Sequence, residues 1–114
     1  HLVSPFVYEN AANAEGEAKR ILDAYEAAHG KAMEPQAQLG YIFADLTIKA
    51  LKAAGKDLTT ENFLAATEAI SGYTDPIGGQ AVSFSADDHQ GADDFIMAKV
   101  NNSAWEVVAR GLDY

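Results

Sequence analysis

Apolar positions recur with a helical period through roughly the first two-thirds of the chain and alternate with a strand period through the last third. Ala18, Ile21, Leu22, Tyr25 and Ala28 fall at i, i+3, i+4, i+7 spacing, which predicts one apolar stripe on a helix of about four turns. Asn13 is the best-placed N-cap, Glu15 and Glu17 suit the positive end of the helix dipole, and Gly30 predicts the stop. Lys19, Asp23, Glu26 and Lys31 make the opposite, solvated face. A second helix is predicted from about Gln36 to Ala54, ended by Gly55, with Leu39, Ile42, Phe43, Leu46, Ala50 and Leu51 as its stripe. A third follows Asp57-Leu58-Thr59. Thr59 is its N-cap, Leu58 can staple onto Phe63, and Phe63, Leu64, Thr67 and Ile70 form its core face up to a stop at Gly72.

Tyr73 to Gly79 is turn-rich and reads as loop. Beyond it the pattern alternates: Val82 and Phe84 in one short strand, then Phe95, Met97 and Lys99 against Ile96, Ala98 and Val100, then Trp105, Val107 and Ala109 against Glu106 and Val108. Asn101-Asn102-Ser103 predicts a hairpin turn, since asparagine tolerates left-handed backbone. At the other end, His1 to Tyr8 is apolar and β-prone but broken by Pro5, as expected of an extended entry segment or edge strand. The joint between the two periodicities is Ile77 to Gly91, where two glycines, a Val82/Phe84 strand and the run Asp87-Asp88-His89-Gln90-Gly91 follow one another.

Length and composition narrow the class. At 114 residues the chain is one domain's worth of polypeptide, with no internal boundary, no repeat and no low-complexity segment. A hydrophobic content of 48% argues against intrinsic disorder, and no apolar run reaches the roughly 18 residues of a membrane span. Eight basic against seventeen acidic residues give a net charge of −9, which repels nucleic acid and anionic lipid. The absence of cysteine removes disulfides and thiolate metal sites. The chain opens directly on His1-Leu2-Val3 without a targeting leader, as expected of a mature product or an excised part of a longer one.

Asp87, Asp88 and His89, with Asp93 and Asp94 behind them, invite a metal reading. An EF-hand loop needs alternating acids, a central glycine and a twelfth-position glutamate between helices, and none of these holds. Zinc hydrolysis needs paired histidines at helical spacing, whereas the three here stand at 1, 29 and 89. The run is better explained by turns with Asx-type backbone hydrogen bonds. Ser83 and Ser85 flank Phe84 without an elbow motif or a base, Gly78-Gly79 precedes a strand where a phosphate cradle would precede a helix, and His29 suits a helix C-terminus. No catalytic residue, metal site or cofactor is expected, and the chain is not read as an enzyme. Gln38 and Tyr41 stand in the first turns of the second helix, beside a Pro-containing loop where polar groups can reach a small ligand. From the residues alone a structural role and a ligand contact both remain open for them.

The order of these pieces carries a resemblance. Tyr25 to Gly30 ends a helix in Tyr-x-x-x-His-Gly. A proline and a helix with Leu39-Gly40-Tyr41 follow, closing on Ala50-Leu51-Lys52-Ala53-Ala54-Gly55, and Asp57 to Phe63 opens the next helix. Gly79-x-x-Val82-x-Phe84-Ser85-x-x-Asp88-His89-Gln90-Gly91 comes last. From about Val3 to Val108 the chain resembles the C-terminal portion of the branched-chain amino-acid type periplasmic binding proteins, the substrate-binding components of ABC importers with the two-lobed type I fold. The resemblance implies an α/β fold, α+β for this stretch taken alone: three helices, a short strand and a β-hairpin.

It further implies an extracytoplasmic protein that captures an amino-acid-like or other small organic solute between two lobes and delivers it to an ABC permease. Members of that family are considerably longer, and most ligand contacts would come from parts this chain lacks. Its own contribution would come from the loop before the Gly-Tyr helix, which by position points to Gln36 or Gln38. A strand order left with open edges, and the apolar segment Leu2 to Val7 without neighbours, predict that the isolated chain self-associates. A stand-alone α+β interaction domain without a ligand cleft is the alternative.

Overall fold

The computed structural model describes residues 1–4 and 13–112. The order of elements is β1 (Leu2–Ser4), α1 (Gly16–His29), α2 (Pro35–Ala54), α3 (Thr60–Glu68), β2 (Phe95–Asn101) and β3 (Ala104–Leu112). This is the mixed α/β arrangement expected, with the helices in one run and a three-stranded antiparallel sheet of order β1-β2-β3.

Each helix is bounded by local chemistry. α1 is capped by extended Glu15 rather than by Asn13, because Gly16 takes a left-handed φ of 55° that redirects the chain into the helix. At its other end Gly30 is left-handed and donates its N–H to Glu26 O at 2.8 Å, so the predicted stop is a C-cap. α2 begins on Pro35, whose missing N–H costs nothing in a first turn, and ends at Gly55. Thr59 caps α3 by accepting from Asn62 N at 3.2 Å. That helix stops at Glu68, four residues short of the predicted Gly72.

The core of the helical part is built by Ala18, Ile21 and Leu22 of α1, Ile42 of α2, and Met33, Tyr73 and Ile77 from the connections. Ile77 is 1% exposed, and burying such a side chain contributes about 2 kcal/mol. The stripe of α2 is rotated from its predicted position: Gln38, Ile42 and Ala50 are interior, whereas Phe43 is 56% exposed and Leu51 lies at the surface. α3 lies along α2 yet buries none of its nine residues. Between the two helices an apolar groove of about 280 Å³ is lined by Phe43, Leu46, Ala50, Phe63, Ile70 and Phe84.

The segment 82–84 is extended, as expected, but pairs as a single bridge to Tyr73 rather than in a ladder. Tyr73 N donates to Val82 O at 2.8 Å and Val82 N to Tyr73 O at 2.7 Å. Beyond it, Ser83 N donates to Gly91 O and Phe84 N to Ile70 O, so the neighbours of this segment are loops, which cannot propagate a strand.

In the sheet, β1 is an edge strand, as its sequence predicted, with Leu2 opposite Ala98 and Ser4 opposite Ile96. The remainder of the predicted entry segment, Pro5 to Tyr8, lies outside the described residues. The hairpin turns at Asn102 and Ser103, both with positive φ (48° and 64°), the conformation that two-residue hairpin loops require. Two register shifts interrupt the β2–β3 ladder, and left-handed Gly111 stands in the one between Ala109 and Leu112. Ile96 and Ala98 form a small core of their own. The radius of gyration is 15.7 Å, against about 13 Å for a compact domain of this length.

Candidate functional site

The start of α2 holds the two residues singled out in the sequence, and they lie in opposite environments. Gln36 is exposed in the first turn. Gln38, two positions on, is 3% exposed and donates from Nε2 to Met33 O at 3.2 Å. A buried amide satisfies itself on the backbone when it can, because an orphaned polar group costs about 1–3 kcal/mol. Gln38 therefore ties the connection before α2 to the helix itself. Glu34 O accepts from Ala37 N at 2.9 Å and Gln38 N at 3.0 Å, which closes the first turn.

One turn beyond, half-buried Tyr41 borders a depression of about 290 Å³ between α1 and α2, together with Arg20, Tyr25 and Met33. Burial, aided by the negative charge of Asp45 and then Glu17, holds the Tyr41 phenol above its ordinary pKa, so it is a neutral donor at physiological pH. Arg20 forks onto Glu17, with Nε donating to Oε2 at 2.8 Å and Nη2 to Oε1. The rim of the depression is thereby internally neutralised.

A second polar cluster, which sequence reasoning missed, joins α2 to the chain after α3. Buried Tyr73 donates its hydroxyl to Asp45 Oδ2 at 2.8 Å, and Lys49 lies 3.9 Å from the same carboxylate and 5.5 Å from the Tyr73 ring centroid. Burial first, then the hydrogen bond to Asp45, raises the Tyr73 pKa well above the usual phenol range. Close by, the Asp75 carboxylate accepts from Ile77 N at 2.7 Å and Gly79 N at 2.9 Å. That Asx-type turn occupies the Gly79 donor of the Gly78-Gly79 pair.

The Asp87-Asp88-His89 run is a turn of the same kind. Asp88 Oδ1 accepts from Gln90 N at 2.9 Å, Asp88 N donates to Ser85 Oγ at 3.1 Å, and Ser85 N donates to Asp88 O at 2.8 Å. His89 leaves the run altogether, its Nε2 lying 3.0 Å from Glu68 Oε1 at the end of α3. Among the described residues no group of three or more His, Asp or Glu side chains is placed to hold a metal ion. Gly91 has a φ of 85°, and a Cβ there would stand 2.8 Å from Phe84 Cε1, so the closing glycine is required by a ring packed on its backbone.

The start of α2 presents one exposed amide, Gln36, and one buried amide, Gln38. Among the described residues no helix is long and apolar enough to cross a membrane. No curated protein and no solved structure matches the chain. The family model described as periplasmic binding protein matches residues 1–104, which span all three helices, β2 and the hairpin turn. The chain thus belongs to the periplasmic binding protein family, the type I, branched-chain-amino-acid-binding-like proteins that serve as solute-binding components.

Proposed function

We propose that this chain is the C-terminal part of a two-lobed, extracytoplasmic component of an ABC importer, which takes an amino acid or similar small organic solute into an inter-lobe cleft and presents it to a membrane permease. The observation that carries this reading is the family match over residues 1–104. Two features of the fold support it. The helices and the sheet hold separate cores, as parts of two different lobes would. The apolar groove beside α3 is open, as a helix face would be once the rest of its lobe is removed.

In this reading Gln36 offers its amide to a polar group of the solute, and Gln38 positions Gln36 through its bond to Met33 O. Binding is reversible capture, and its energy is used to favour the closed arrangement of the lobes. The test is a thermal-shift and calorimetric screen of free amino acids and small organic acids on the product of the whole reading frame that contains this chain. Saturable binding of one of them, with a rise in Tm that follows ligand concentration, is the expected result. A reading frame that begins at His1, or a whole product that binds none of them, would overturn the proposal.

A further inference from the structure

We draw no further inference here: the strongest candidate, the apolar groove between α2 and α3 lined by Phe43, Leu46, Ala50, Phe63, Ile70 and Phe84, carries nothing because no feature of the structure shows what covers it.

Discussion

Tyr73 reaches across 28 positions of sequence to give its hydroxyl hydrogen to Asp45, 2.8 Å away. The bond fastens the segment after α3 onto α2. Replacing Tyr73 with Phe leaves the Asp45 carboxylate without this donor and should lower unfolding free energy by about 1–2 kcal/mol, and Asp45→Ala should cost a similar amount. In a double-mutant cycle by urea denaturation the two changes should be clearly less than additive. Additivity would show that each residue acts through separate contacts.

The same bond sets an alkaline limit. The folded-state pKa of Tyr73 is raised, by burial first and Asp45 second, above the value of about 10 that it has in the unfolded chain. Stability from this source is complete below that unfolded pKa, because both states are then protonated. It is lost as pH rises toward the folded pKa, because only the unfolded state releases its proton. Tyr41 shifts in the same direction. Unfolding free energy should therefore fall above about pH 10, and Y73F should flatten the decline. Phenolate absorbance that rises in a single early step, well before unfolding, would contradict it.

Gly91 and Gly30 separate two reasons for glycine. Both are left-handed, at φ 85° and 68°, but a Cβ at Gly30 meets nothing within 4 Å whereas one at Gly91 stands 2.8 Å from the Phe84 ring. Gly30→Ala should cost only the backbone term, about 1 kcal/mol. Gly91→Ala adds a steric clash and should cost roughly 2–3 kcal/mol. Adding Phe84→Leu should recover part of the loss at 91 and none at 30, as thermal melts of the four variants will show.

On the proposed reading, Gln36 and Gln38 should part company in the product of the whole reading frame. Gln36→Ala, at an exposed position, should leave Tm unchanged and weaken solute binding about tenfold, the worth of one good hydrogen bond. Gln38→Ala removes the buried bond to Met33 O and should lower stability by about 1–3 kcal/mol. Any weakening of binding in that variant should accompany a loosened loop, seen as faster hydrogen exchange around Met33. Equal effects of the two variants on Tm would remove the distinction.

What was legible in the sequence was what neighbours along the chain decide. Gly30 and Gly55 end their helices, Thr59 caps α3, and Asn102-Ser103 turns the hairpin, each through chemistry confined to a few residues. What was not legible depends on the partner surface. The stripe of α2 reads equally well with Phe43 or Gln38 inward, and only the course of the 33–38 connection and the open side of the groove decide for Gln38. Tyr73 and Asp45 carried no signal because nothing local links them. At the start of α2, order and spacing picked out Gln36 and Gln38 without telling an outward glutamine from an inward one.

The pairing of Ser4 with Ile96 closes a loop over residues 5–95, so the first strand of the chain waits for nearly all the rest. Bringing such distant ends together costs about 4 kcal/mol in chain entropy, set against three residue pairs of ladder. The helices and the β2–β3 hairpin rest on local contacts and form without that cost. Folding therefore has an order written into its topology: helices and hairpin early, β1 last. In unfolding the order reverses, and Leu2–Ser4 is the first segment to exchange its amides and the first to offer a protease an extended strand.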